Sequence, residues 1–124
     1  MANTPIPTEI KLDKKTRLLA LTFDDGQQFE LSCEYLRVNS PSAEVQGHGP
    51  GEGVLQVGKE NVAIDSIEPV GSYAVLLRFD DGHDTGIYAW DTLYKLGANK
   101  DAIWADYLER LEAAGHKRRE PSQL

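Results

Sequence analysis

The residues whose side chains could bind a ligand or take part in catalysis lie in two places, a glycine-rich segment in the middle of the chain and an acidic turn further along. His48 belongs to the first and His83 to the second, with Glu44 and Asp81 near them in sequence. Imidazole nitrogens and carboxylate oxygens suit iron, zinc or another divalent ion. One hypothesis is therefore a metal site on His83 and His48. No diagnostic ligand spacing connects them, so exposed loop histidines are the default expectation.

No residue set predicts catalysis. The glycine-rich segment, residues 47–53, lacks the Lys-Ser/Thr pair of a phosphate-binding loop and precedes no clear helix. Cys33 follows an apolar strand, where a buried thiol behaves as a small hydrophobe. Asp24-Asp25 and Asp80-Asp81 occupy turn positions, which favour aspartate for backbone reasons. We therefore predict no catalytic residues and no enzymatic activity.

Net charge and composition limit the classes of partner and the cellular compartment that we expect. The formal net charge is -7 and the isoelectric point is about 4.9. An acidic surface repels phosphate backbones and anionic lipid, so nucleic acid and membrane are not expected partners. No secretory signal and no bilayer-spanning run is apparent, and a single cysteine fits a reducing compartment, so we predict a cytoplasmic protein. The basic run Lys117-Arg118-Arg119 is interpreted mainly as a solvated tail, with a local patch for an acidic partner as the alternative.

The elements that must position these residues are two hairpins and a terminal helix. Phe23-Asp24-Asp25-Gly26 recurs as Phe79-Asp80-Asp81-Gly82, an offset of 79 − 23 = 56 residues, and Asp-Gly between apolar alternations is a strong hairpin signal. The repeat indicates either two hairpins that share a good turn or a duplicated half. Strands are predicted over 9–12, 16–23, 28–32, 61–69, 73–79 and 84–88. Helical segments are predicted over 33–39, 89–96 and 100–114, the last with Asn99 as its N-cap.

These elements predict an α+β fold, with a small, mainly antiparallel sheet built from two similar β-hairpins, short helices and a C-terminal amphipathic helix. The apolar stripe of that helix is Ile103, Trp104, Tyr107, Leu108 and Leu111. We expect a flexible arm over residues 1–8, one domain over 9–115 and a basic, polar tail over 116–124.

The stretch from Ser40 to Gly58 is too rich in glycine and proline for a regular element, and loops of this length are often functional or disordered. The loop from Ser40 to Gly53, together with the His83 turn and Tyr88-Trp90, is the predicted recognition surface for a protein partner, and a homodimer is left open. The predicted binding residues are Arg37, Asn39, Ser40, Ser42, Glu44, Gln46, His48, Tyr88 and Trp90.

Three long motifs carry a family resemblance: LRVNSPSAEVQGHG over 36–49, IEPVGSYAV over 67–75 and FDDGHDTGIYAW over 79–90. They resemble the short bacterial members of the gamma-butyrobetaine hydroxylase-like N-terminal domain family, over about residues 10–115. The resemblance implies an accessory domain without the oxygenase barrel. It also implies a context such as iron–sulfur cluster assembly or a carrier ATPase.

In the hydroxylases this domain holds zinc through three cysteines and one histidine. The resemblance places the cysteine positions on or near Ser40, Ser42 and Val45, and the histidine at His83. Because none of the first three residues is a thiolate, zinc of that type is not expected here.

Overall fold

The computed structural model describes residues 5–46 and 53–119, and the predicted site residue His48 lies outside these ranges. In chain order the elements are β1 (Pro7–Asp13), β2 (Leu18–Phe23), β3 (Gln28–Ser32), α1 (Cys33–Val38), α2 (Ala43–Gln46), β4 (Ile64–Val70), β5 (Ala74–Phe79), β6 (Gly86–Ala89), α3 (Trp90–Ala98) and α4 (Lys100–Ala113).

The strands form two antiparallel sheets of three strands each, in the orders β1-β2-β3 and β4-β5-β6. The α+β class and the paired hairpins are confirmed. Each hairpin, however, lies in its own sheet rather than in one shared sheet. Among the helices of the described ranges, none has the length and apolar character needed to cross a membrane.

The two sheets are built alike down to the hydrogen bonds of their turns. Asp25 Oδ1 accepts from the backbone N–H of Gln27 at 3.0 Å, and Asp81 Oδ1 accepts from that of His83 at 3.1 Å. The first half is β1 to α2 and the second half is β4 to α4. Each half consists of three strands followed by helices, and each has a register shift in its first strand. These matches favour the duplicated-half interpretation of the repeat.

A helix of each half forms a hydrogen bond with the hairpin turn of the other half. Arg37 on α1 donates from Nε to Asp81 Oδ2 at 2.8 Å, in the turn of the second half. Tyr94 on α3 donates from its hydroxyl to Asp25 Oδ2 at 2.6 Å, in the turn of the first half. Each turn carboxylate is therefore held by a helix that belongs to the other half.

Alternating side chains of the central strands form the core between the sheets. In β2, Leu19, Leu21 and Phe23 are buried, and in β5, Leu77 and Phe79 are buried. Full burial of each such side chain contributes about 1.5–3 kcal/mol. Period-two alternation therefore fixes which face of each sheet points inward.

Four sequence predictions about the helices need correction. α2 is a helical turn within a stretch expected to be irregular, and α3 continues through Gly97 to end at Ala98. Asn99 occupies the N-cap position of α4, as predicted, but its side chain makes no capping hydrogen bond there and donates instead to the carbonyl of Lys95 at 3.0 Å, at the end of α3. Leu108, assigned to the buried stripe of α4, is 38% exposed.

Candidate functional site

A polar cluster forms where α1 and α2 meet the turn between β5 and β6. The start of α1 is fixed by Ser32, whose Oγ accepts from the N–H of Tyr35 at 3.0 Å. The start of α2 is fixed in a similar way by Ser42, whose Oγ accepts from the N–H of Glu44 at 3.2 Å. Serine competes well for free N–H groups at helix starts, so these local caps set where Ser40 and Glu44 stand.

His83 is the centre of the cluster. It is 4% exposed, which makes the default expectation of an exposed loop histidine wrong for this residue. Its Nε2 lies 2.8 Å from Ser40 Oγ and its Nδ1 lies 3.1 Å from Glu44 Oε2. Because a carboxylate only accepts, Nδ1 carries the proton toward Glu44 and Nε2 accepts from the Ser40 hydroxyl. Both ring nitrogens are therefore engaged within the domain.

Gly86 permits the close approach behind this contact. A Cβ at this position would lie 2.6 Å from Ser40 Oγ and 3.0 Å from the ring of Tyr88. No side chain fits there without displacing Ser40 or Tyr88. The glycine at the start of β6 thus lets the serine hydroxyl reach His83.

A charged pair holds the His83 turn against α1. Arg37 is 7% exposed, and its bond to Asp81 is joined by a second one from Lys59 Nζ to the same oxygen at 2.7 Å. Burial acts to raise the pKa of Asp81. The hydrogen bonds from Lys59, the His83 backbone N–H and Arg37 outweigh it and hold the pKa at about 2. Among the described residues, Nη1 of Arg37 has no hydrogen-bond partner.

The order Ser40, His83, Glu44 resembles a hydrolytic triad in its distances but not in its exposure. A nucleophilic serine must be reachable by substrate, and its supporting carboxylate is normally buried. Here Ser40 is 0% exposed, whereas the Glu44 side chain is 63% exposed. Burial is also the main cause that lowers the pKa of His83, followed by the charge of Arg37. The arrangement can position α2 but cannot present an attacking hydroxyl.

The structure brings most of the predicted binding residues together, but it buries Tyr88 beneath the cluster and places Trp90 apart from it. Tyr88 is 0% exposed and donates to the carbonyl of Leu36, so its assignment to an exposed surface is wrong. Trp90 donates from Nε1 to the carbonyl of Ser72, at the far end of β5 from His83. Side chains near α2 are exposed at Glu44 and Gln46, half-buried at Asn39, and buried at Arg37, Ser40 and Ser42.

The residues implied by the resemblance for zinc do not fit a thiolate site. Val45 is buried and offers no donor atom, and the hydroxyl of Ser40 is bonded to His83. The hydroxyl of Ser42 lies 2.7 Å from that of Thr85. Among residues 5–46 and 53–119, no group of three or more His, Cys, Asp or Glu side chains converges as a metal cluster.

Sequence reasoning missed several members of the cluster. Thr85 lies in the motif over 79–90 but was not selected as a site residue, and Lys59 lies in no motif; they join the cluster through tertiary contacts with Ser42 and Asp81. Gly86 could have been suspected, since an isolated glycine within a strand often marks a close approach.

The fold and the site define a small α+β domain in which a buried histidine positions a surface segment. Residues 10–94 match the family described as "Gamma-butyrobetaine hydroxylase-like, N-terminal". The chain belongs to this family. The match is to the N-terminal domain and not to the catalytic domain of such hydroxylases. None of the curated proteins matches the chain.

Solved structures support the same assignment. Two NMR solution structures are 53% and 49% identical, cover 100% and 98% of this chain and 92% and 95% of their own, and superpose with TM-scores of 0.83 and 0.81. A crystal structure from Acidithiobacillus ferrooxidans ATCC 23270 is 38% identical, covers 74% of this chain and 92% of its own, and has a TM-score of 0.63. That protein is described as having unknown function and belonging to the DUF971 family.

Proposed function

We propose that this domain is a non-catalytic protein-interaction module whose recognition surface is α2 with its flanking residues. The observation that carries the proposal is the placement of His83, buried between Ser40 and Glu44 with both ring nitrogens engaged. An imidazole used in this way fixes α2 on the sheet. It leaves the outward groups of α2, chiefly Glu44 and Gln46, on a rigid support.

Rigid support matters because binding loses free energy when a segment must be ordered. A four-residue helix such as α2 has no stability of its own in water. Its anchors are the bonds from Ser40 to His83 and from Ser42 to Thr85, both in the connection between β5 and β6, together with the buried side chain of Val45. The exposed face is polar and acidic, so a partner with donor or basic groups fits it.

Site-specific photocrosslinking in cells tests this surface. p-Benzoylphenylalanine replaces Ala43, which is exposed on α2, and in a matched control it replaces Glu9, which is exposed on β1. We expect one discrete adduct at position 43 and none at position 9. Adding Glu44→Gln and Gln46→Ala should remove the adduct, and Gln at position 44 keeps a hydrogen-bond acceptor for His83. Equal adducts at both positions, or an adduct that survives the double substitution, would contradict the proposal.

Family analogy extends the proposal to the identity of the partner. Domains of this type attached to ATPases suggest a carrier ATPase or an iron–sulfur assembly protein, and a second copy of the chain is the alternative. The mass of the adduct discriminates among these partners, because a homodimer gives twice the mass of the chain.

A second candidate function is metal binding through His83, and the carboxylate 3.1 Å from its Nδ1 favours it as a second ligand. Iron or zinc is the candidate, and His48 was the other ligand predicted from sequence. Metal analysis of tag-free protein purified without chelators tests this function. Near-stoichiometric metal that is lost on Glu44→Gln would support it, and less than a tenth of an equivalent would exclude it.

A further inference from the structure

A groove of about 350 Å³ lies between the start of α1 and α4, away from the His83 cluster. Tyr35 and Trp104 provide aromatic surface, Val62 provides an apolar patch, and Glu34 and Glu60 provide carboxylates. Its volume is within the range of sites that take a small ligand or a single side chain.

The carboxylate of Glu34 is the buried anion of this groove. Its side chain is 5% exposed, although it stands in the first turn of α1. Both oxygens are bound by one guanidinium. Arg118 donates from Nε to Oε2 at 2.8 Å and from Nη2 to Oε1 at 2.5 Å. Two parallel bonds of this kind match the planar fork of arginine and not the point charge of lysine.

Trp104 supplies the second part of the recognition. The guanidinium carbon of Arg118 lies 5.3 Å from the centroid of its ring. The indole is itself held between aromatic neighbours, with ring centroids 6.2 Å from Tyr35 and 5.2 Å from Tyr107. A preformed aromatic face next to a buried carboxylate selects a planar cation.

The residue that fills this site comes from the C-terminal segment. α4 ends before Gly115, whose φ is 78°, and residues 116–119 form no helix or strand. The expectation of a wholly solvated basic tail is wrong for Arg118, whose side chain is 22% exposed. Apart from the contacts of Arg118, two backbone hydrogen bonds hold this segment. The N–H of Arg119 donates to Glu60 at 2.8 Å, and the N–H of His116 donates to the carbonyl of Leu111 at 2.9 Å.

We propose that the Glu34–Trp104 groove is a recognition site for an arginine side chain of a partner protein, occupied within the chain by Arg118. The contacts of Arg118 define the chemistry that the groove accepts, since charge, fork geometry and a cation–π contact with Trp104 are all satisfied by a guanidinium. The segment that carries it has no regular structure of its own in residues 116–119, so exchange for an external arginine needs no change in the sheets or α4. This site goes beyond the α2 surface, because Ser40, Glu44 and His83 do not line it.

The test uses the full chain with Arg118→Ala and two acetylated, amidated pentapeptides, Gly-Gly-Arg-Gly-Gly and its lysine counterpart. The indole N–H resonance of Trp104 reports binding in ¹H–¹⁵N NMR. We expect Arg118→Ala to bind the arginine peptide at least about tenfold more tightly than the wild-type chain, and the lysine peptide at least about tenfold more weakly than the arginine peptide. Adding Glu34→Gln to Arg118→Ala should abolish binding.

Equal binding of the arginine peptide by the wild-type and Arg118→Ala chains would overturn the proposal, as would binding that survives Glu34→Gln. If Arg118→Ala does not fold alone, its thermal transition is followed with ethylguanidinium or propylammonium. Recovery with ethylguanidinium only supports the proposal, and recovery with both cations or with neither overturns it.

Discussion

Replacement of His83 by alanine should destabilise the domain, by an amount that depends on pH. The substitution removes the imidazole from a buried position and leaves the Ser40 hydroxyl without that partner. A buried hydroxyl that loses a partner costs about 1–3 kcal/mol, and the cavity adds to this cost. The bond to Glu44 adds under about 1 kcal/mol, since that carboxylate is largely exposed. We expect a loss of about 2–4 kcal/mol at pH 7.5, measured by urea unfolding.

The pH dependence follows from which form of His83 the fold prefers. Burial lowers its pKa below the usual 6.5, and the charge of Arg37 lowers it further, against the opposing effects of Glu44 and Asp81. As the pH falls below about 6.5, the unfolded chain therefore takes up the proton before the folded chain does. The stability contributed by neutral His83 is fully present above that pH and declines below it. The difference between wild type and His83→Ala should shrink between pH 7.5 and pH 5.5.

His116 provides the control, because it is an exposed histidine. His116→Ala should change stability by less than about 0.5 kcal/mol at either pH. A difference between wild type and His83→Ala that stays constant or grows as the pH falls would refute the reasoning. It would mean that His83 is stabilised as the cation by Glu44 and is not kept neutral by burial.

Three further experiments test the contacts around the site. Gly86→Ala should cost about 1–3 kcal/mol by overpacking, and Ser40→Ala in the same chain should recover part of that loss, as a double-mutant cycle in urea would measure. Asp81→Asn should destabilise more than Asp25→Asn at pH 7, by about 1 kcal/mol or more, because only Asp81 neutralises a buried guanidinium. Because its pKa is about 2, the contribution of Asp81 should persist from pH 7 to near pH 4 and be lost as the pH falls toward 2. Tyr88→Phe should lower the free energy of unfolding by about 1–2 kcal/mol, since it leaves a buried carbonyl of α1 without its donor at 2.5 Å.

Much of the fold follows from local sequence signals. The strand β3, Gln28–Ser32, was predicted with its observed bounds, and the two Asp-Gly turns lie where the sequence placed them. These signals are local because hairpin turns depend on the conformational freedom of two residues, and strand faces depend on alternation. The terminal helix was found for a similar reason, although its stripe includes the exposed Leu108.

The candidate site was only partly predictable. The sequence selected Ser40, Glu44 and His83 as members of one surface, and they are bonded to each other. Their burial was not predicted, because it depends on how α1 and α2 pack on the second sheet. The role of Arg118 was missed for the same reason, since Glu34 is 84 residues away from it along the chain.

The sequence alone determined the strands, most of the helices, the repeated turns and the family, because each depends on residues that are close together or on long motifs. The tertiary structure alone decided which polar groups are inside. The residue type alone does not indicate whether an imidazole or a guanidinium is surrounded by water or by protein. His83 lies beside Ser40 only because one half packs against the other. Arg118 lies on Glu34 only because the C-terminal segment packs against α1. Burial makes such bonds costly to break, and it depends on contacts between residues far apart in the chain.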